Sequence, residues 1–315
     1  MTRKSAAPFS IGIDLGGTNI KLVAVTQDGS VLKRAQRPTQ DLPDNLGVWV
    51  EIIRQTIAQM ESRQGRRASY IGLATPGVIE PGSRHVAWCP GKLEGIEGFN
   101  WTLALKRQPA VPLLNDAHAA LLGEHWLGAA KEFEFVILLT LGTGVGGAIL
   151  ENGRLLRGVH GWAGALGQTS LDPRGAKSFY TVPGSLENWI GNQTVSRRSR
   201  GRFHDTRDLV AAARTGNLEA QKIWHKSIRA LAVALASFKM ILDPEAVIIG
   251  GGISRAGPML FQPLAAELDQ VEWRPGGRRM KILPARLGEW AGAIGAARNA
   301  MLCGRKPKKR AGRNG

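Results

Sequence analysis

Asp14-Leu-Gly-Gly-Thr-Asn-Ile-Lys21 and, far downstream, Leu141-Gly-Thr-Gly-Val-Gly-Gly147 share one pattern: an apolar strand, a turn of glycine and threonine, then a second strand. Ser10–Gly17 reads as a buried strand ending in glycines. Lys21–Thr26 and Val31–Arg37 then form a hairpin around the Asp28-Gly29 turn. The second occurrence repeats this, with an apolar strand at Phe135–Leu141 and a hairpin through Gly147–Leu150 and Arg154–Leu156. Glycine permits positive φ and close approach of the backbone, so each turn can offer N–H groups and a hydroxyl to an anion, phosphate above all. A tight hairpin can also use glycine for geometry alone. Neither turn is a Walker loop, because no GxxxxGK[ST] occurs, and GTGVGG leads into a strand where a dinucleotide-binding loop would lead into a helix.

Outward from these turns the chain reads as α/β. Helical spacing runs from Pro43 to about Arg63 through Leu46, Val50, Ile53, Ile57 and Met60. A strand at Ser69–Thr75 breaks at Pro76-Gly77, and another at Val111–Leu114 feeds Asn115-Asp116 and a helix to about Leu127. Later come a long helix at about Leu218–Leu242, a strand at Ala246–Ile249 ending in Gly250-Gly251-Gly252, a helix near Pro258–Leu268 and a last helix near Trp290–Met301. The chain has 315 residues, enough for two domains at roughly 100–200 residues each. Two cysteines, Cys89 and Cys303, exclude a disulfide framework and a four-cysteine zinc site. No apolar run of about 18 residues predicts a membrane span, and no signal-peptide core is evident, so the expected setting is cytoplasmic.

The 42 Lys and Arg outnumber the 25 Asp and Glu, a net charge of +17 that favours anionic partners without choosing among them. The tail at 305–315 carries 6 of the basic residues and no acidic one, so without it the balance falls to +11. Other clusters are Arg63, Arg66 and Arg67; Arg197, Arg198, Arg200, Arg202 and Arg207; and Arg274, Arg278, Arg279 and Lys281. They lack regular aromatic interleaving and read as solvated loops, as charge runs usually are, with a polyanion-binding surface as the alternative.

As a set, these segments resemble the ROK family of sugar kinases and sugar-responsive repressors. The resemblance rests on Asp14–Lys21, Ala74-Thr-Pro-Gly77, Leu114-Asn-Asp-Ala117, Leu141–Gly147, Gly158-Val-His-Gly-Trp-Ala-Gly164, Gly184-Ser-Leu-Glu187, Gly250-Gly-Gly-Ile253 and Leu287–Ala297, in the family's order. It implies a two-domain actin/hexokinase/Hsp70-like (ribonuclease H-like) α/β fold with an interdomain cleft. Residues 1–117 and 118–304 would be the two domains, the helix at 290–303 would pack back on the first, and 305–315 would be a basic tail.

The resemblance makes Asp116 the catalytic base on a sugar hydroxyl, although an Asp there could also be a helix N-cap. Asn115, Pro76, Gly77, Gln168 and Glu187 would face the sugar. ATP phosphates would meet Gly16, Gly17, Thr18, Asn19 and Lys21 in the first turn and Gly142, Thr143 and Gly144 in the second, with adenosine near Gly251, Gly252 and Ile253. Asp14 would hold hydrated Mg²⁺, or else merely stabilise its turn.

The sequence departs from the family where most kinases have Glu-x-Gly-His and a CxCGxxGC zinc loop. Here the stretch is Ala165-Leu166-Gly167-Gln168, with no cysteine before Glu187, so no zinc is expected. Lys92 also stands before Leu93 where an Asn is usual. His118 and His125, seven apart, read as ordinary helix residues. An altered sugar site follows, and a non-catalytic sugar-binding sensor or a polyphosphate-dependent kinase are the alternatives. A repressor is disfavoured because only 13 residues precede Asp14. A homodimer is implied by the resemblance, and nucleic acid would bind at most nonspecifically through the tail.

Overall fold

A computed structural model describes residues 7–304. The basic tail at 305–315 lies outside the described residues. The described residues divide into two compact units, one of residues 7–126 with 290–304, the other of residues 127–289.

In the first unit β1 (Phe9–Leu15) pairs antiparallel with β2 (Asn19–Thr26), and β2 with β3 (Val31–Pro38). Helix α1 (Leu46–Gln64) leads to β4 (Tyr70–Thr75), parallel to β1. After a two-stranded ribbon, β5 (Val78–Ile79) and β6 (Val86–Trp88), and the short α2 (Trp101–Ala104), β7 (Leu113–Asn115) joins parallel to β4 and runs into α3 (Asp116–Leu127). The sheet order is β3-β2-β1-β4-β7.

The second unit repeats this order. Strand β8 (Phe135–Leu141) pairs antiparallel with β9 (Val145–Glu151), β9 with β10 (Arg154–Leu155), and β8 lies parallel to β11 (Ala246–Gly250), followed by β12 (Lys281–Pro284). The order is β10-β9-β8-β11-β12. Its helices are α4 (Leu186–Ile190), α5 (Val195–Arg198), α6 (Thr206–Arg214), α7 (Leu218–Leu242) and α8 (Pro258–Val271). The chain then returns to the first unit with α9 (Ala291–Gly304).

Period-two alternation decides which face of the first sheet carries which helix. Ile11, Ile13 and Leu15 of β1, with Ile71 and Leu73 of β4, pack with Trp49, Ile53, Ile57 and Met60 of α1 in one core. Gly12 and Gly72 alternate onto the opposite face, where α9 packs on β1 and β4. A Cβ on Gly12 would lie 2.6 Å from the Ala297 amide nitrogen, and one on Gly72 would lie 2.9 Å from the Ala296 carbonyl carbon. Helix backbone therefore rests directly on strand backbone. The same closeness ties α3 to α9, since a Cβ on Gly123 would sit 2.5 Å from Ala291 O.

This last contact explains one difference from the sequence reading. The first unit runs through Trp126 rather than ending at Ala117, because α3 packs with α9. The sequence also reads the arginine cluster at 197–207 as a solvated loop, where the structure has α5 and the start of α6. The Asp205 carboxylate caps α6 by accepting from the Asp208 amide at 2.9 Å. Nor is the 274–281 cluster simply solvated. Arg274 and the buried Lys239 both pair with Glu272, whose side chain is enclosed, at 2.8 and 2.7 Å.

Gly72→Ala is expected to destabilise the protein by about 1–3 kcal/mol or more, since only backbone can yield there. Gly47→Ala, in the first turn of α1 with nothing within 4 Å of the added carbon, should be neutral or stabilising by up to about 1 kcal/mol. Denaturant unfolding of both variants checks this; equal effects would refute the backbone-contact account.

Candidate active site

Each unit carries one glycine turn, and the two are built alike. In the first, the Gly16 amide donates to Asn19 O at 3.1 Å, while the carbonyls of Gly16 and Thr18 accept from Thr39 Oγ1 (2.5 Å) and the Thr39 amide (3.0 Å). In the second, the Gly142 amide donates to Gly144 O at 2.9 Å, and the carbonyls of Gly142 and Thr143 accept from the amides of Asn192 (2.9 Å) and Gln193 (3.0 Å). The acceptors of each turn are thus occupied by a neighbouring segment. Among the described residues, the amides of Gly17 and Thr18 and those of Thr143 and Gly144 have no hydrogen-bond partner. Clustered free donors with neutralised acceptors suit an anion.

Around the first turn stand two carboxylates. Asp14, near the end of β1, faces Lys21 across the β1–β2 ladder and shares its face of the sheet with Gly12. A Cβ on Gly292, at the start of α9, would fall 2.7 Å from its Oδ2, so glycine there lets the carboxylate lie against the helix N-terminus. Burial, then the nearby charge of Asp116, push the Asp14 carboxyl up to about 7, with Lys21 opposing. Asp116 is exposed at the first position of α3, its Oδ1 accepting from the Ala117 amide at 2.8 Å. Asn115 is fully engaged: its Nδ2 donates to Gly77 O (3.0 Å) and its Oδ1 accepts from the Ala117 amide (3.0 Å). It joins the Pro76-Gly77 turn to the start of α3. Gly77 has φ +95, and a Cβ there would lie 2.6 Å from Trp88 O. Cys89 is buried and its thiol is pushed up to about 11, chiefly by desolvation, so it is no nucleophile near neutrality.

In the second unit the buried Glu187 faces the glycine turn. Its Oε2 accepts from the Val145 amide (2.9 Å) and its Oε1 from Gln193 Nε2 (3.0 Å). Gln168, at the end of a short 3₁₀ turn, accepts from Ser178 Oγ at 3.1 Å and holds the 169–184 loop. Gly142, Thr143, Gly252 and Ile253 line one cavity of about 480 Å³. Gly251, beside it with φ +86, has no room for a Cβ against Leu141. Asn192, Asp205, Arg207, Arg214 and Arg255 are among the other lining residues and are absent from the sequence-based site. The Asp205-Thr-Arg-Asp208 capping pattern is the signal that could have found part of this wall. A second cavity of about 490 Å³, between α7 and α8, holds none of the candidate residues.

Hard divalent cations favour oxygen ligands, and Asp14 with Asp116 supplies two electrostatically coupled carboxylates whose repulsion a cation would relieve. The residues fit Mg²⁺. His204, Asp205 and Asp208 also lie within ligand reach of one another, but Asp205 is already the α6 cap.

Because the Asp14 pKa is raised from 3.8 to about 7 on folding, ionising it opposes the native state. Below 3.8 both states are protonated and there is no penalty. The penalty grows as pH rises from about 4 to 7 and is constant above, at roughly 2–4 kcal/mol. Asp14→Asn should therefore be more stable than the parent at pH 8, with the advantage fading towards pH 4. Urea unfolding at the two pH values checks it; an advantage independent of pH refutes it.

A glucokinase of Thermotoga maritima is 34% identical over 306 residues, covering 91% of this chain and 95% of that relative. Among solved structures, a ROK hexokinase from Thermus thermophilus superposes with TM-score 0.83 at 31% identity, covering 93% of this chain and 98% of the other. A ROK family glucokinase from Streptomyces griseus, in complex with glucose and AMPPNP, gives 0.77 at 25% identity, with 93% and 99% covered. Both structures share the actin/hexokinase-like fold that the paired sheets show here. With the ROK family model matching residues 10–301, the chain belongs to the ROK family.

Proposed function

We propose that the chain transfers the γ-phosphate of ATP to a hydroxyl of a hexose or hexosamine-like sugar, with Asp116 as the base. The class is a sugar kinase, in keeping with the glucokinases it resembles. The observation that carries the finer reading is the Asp14–Asp116 pair beside the first glycine turn. One carboxylate is half-buried and hard to ionise, and the other is exposed where β7 meets α3. Their environments suit two different roles.

Phosphoryl transfer needs positioning and charge neutralisation more than covalent chemistry. Asp116 accepts the proton of the attacking hydroxyl. The Asn115–Gly77 hydrogen bond fixes the strand ends that frame the acceptor, so Asn115 acts by holding Asp116 in place. In each unit by itself the free amides, Gly17 and Thr18 in the first and Thr143 and Gly144 in the second, are suited to phosphate oxygens, with Lys21 beside the first turn. Glu187 keeps the second turn in its anion-binding shape through the Val145 amide, and Gln168 steadies the loop that precedes it. The cavity with Gly252 and Ile253 takes the donor's base and ribose. Asp14 would hold Mg²⁺ through water, and the bound ion would offset charge on the phosphate oxygens.

One observation favours a second donor. Arg207, Arg214 and Arg255 put three cations around the donor cavity, more than a neutral adenosine needs, and inorganic polyphosphate would use them.

Donor consumption against a panel of hexoses and hexosamines tests the proposal, with ATP and polyphosphate supplied separately. Asp116→Asn should lower kcat by about 10²–10⁴-fold while leaving sugar binding within a few-fold. Binding of sugar without turnover by the parent would replace the kinase with a sensor.

A further inference from the structure

Among the described residues, three cations are largely withdrawn from solvent and meet carboxylates: Lys239 with Glu272 (2.7 Å), Arg274 with Glu272 (2.8 Å) and Arg107 with Glu61 (2.9 Å). Arg198, on α5, is withdrawn as well and is different. Its Nε donates to Thr194 Oγ1 (3.1 Å), its Nη1 to Ser227 Oγ (2.5 Å) and its Nη2 to Gly191 O (3.4 Å), all neutral acceptors. No ion pair to it exists among the described residues, and its adjacent charge is Arg197, of the same sign. Desolvation, followed by that neighbour, lowers its pKa to about 10, so it stays charged at neutral pH. A part-buried guanidinium without a counter-charge is a standing cost unless something anionic offsets it.

The place of this charge says what the anion is. Gly191 O and Thr194 Oγ1, which accept from the guanidinium, bracket the residues whose amides tie off the second glycine turn: Asn192 N to Gly142 O and Gln193 N to Thr143 O. Gly191 itself sits so close to Thr143 O that a Cβ would be 3.2 Å away. Arg198 is therefore one hydrogen-bonded layer behind the free amides of Thr143 and Gly144. Gly191 and Thr194 on this layer are buried, so its field reaches the turn less screened than across open solvent.

We infer that Arg198 is a positioning residue whose counter-charge is the phosphate chain of the donor, held on the other side of the second glycine turn. The inference rests on the donor-site reading above. Thr194 Oγ1 and Ser227 Oγ have other partners, donating to Asn188 O at 3.1 Å and Ile223 O at 3.0 Å, so the guanidinium is not required to satisfy either hydroxyl as a donor. Its hydrogen bonds aim a charge at the turn without neutralising it.

Titration calorimetry of adenosine, ATP with magnesium, and tripolyphosphate tests this on the full chain, with Arg198→Met and Arg198→Lys beside the parent. Arg198→Met is expected to weaken ATP by about tenfold and adenosine by less than about twofold. Arg198→Lys, which keeps the charge, should restore most of the ATP affinity, and thermal unfolding without ligand should show Arg198→Met no less stable than the parent. Equal losses for adenosine and ATP, a lysine variant as weak as the methionine one, or an Arg198→Met protein that does not fold would each overturn the inference. A parent that binds none of the three probes would instead overturn the donor-site reading. Binding of tripolyphosphate but not ATP, with the same dependence on residue 198, would support the charge and reassign the donor.

Discussion

Everything in the first unit depends on how closely α9 lies on β1 and β4. Ordinary side chains would hold a helix off a sheet, but Gly12 and Gly72 remove that spacer on the face opposite α1. The consequence reaches the chemistry through one further position, because Asp14 follows Gly12 on the same face of β1. Bringing α9 down on Gly12 brings its first turn onto Asp14, and Gly292 leaves the room that the carboxylate occupies. A helix N-terminus is partially positive and stabilises a carboxylate placed against it, whereas burial and Asp116 act in the opposite sense. The carboxyl is thus enclosed and aimed but not neutralised, a state in which an added cation gains most.

The second unit uses the same strand order for a different task. Thr140 holds in β8 the place that Asp14 holds in β1, immediately before the Leu-Gly that opens each turn. The carboxylate at that step is missing from the second copy, and Glu187 supplies one from α4 instead, directed at the Val145 amide. One turn is therefore backed by an acid suited to a metal ion and the other by an acid that fixes loop shape. In both, occupied carbonyls leave the amides free, so anion binding comes from the backbone and needs little formal charge.

This division explains how much could be read from the sequence. Strand ends marked by glycine, the Asp28-Gly29 hairpin, the α1 spacing and the Asn115-Asp116 step are local signals, and together they give the α/β plan and its two turns. What ties the turns off is not local. Thr39, Asn192 and Gln193 belong to no periodic pattern, and only the folded chain brings them to the carbonyls they serve. Nor can a sequence say which way a buried acid faces: Glu187 reads as a sugar contact, and in the structure its oxygens accept from the Val145 amide and Gln193 Nε2. Helix α6 is obscured for a compositional reason, since arginines at its flanks suggest a solvated loop while Leu209, Val210 and Ala213 face the core.

The excess of positive charge is the property most altered by knowing where each residue sits. A net charge of +17 suggests a surface for polyanions, yet the basic clusters do unlike things. Arg274 is paired with Asp269 and Glu272 beside Lys239, which fixes the 269–281 segment and commits these two cations to structure. Arg207, Arg214 and Arg255 stand at a cavity wall. Arg198 touches no solvent-facing anion site at all, being set behind a turn with hydroxyl and carbonyl partners only. Charge at the surface acts over about a Debye length and is screened by salt, whereas a charge behind the backbone acts through a medium that responds little. The count of arginines is therefore a poor guide to anion recognition here, and the polarity of each one's immediate partners is the better one.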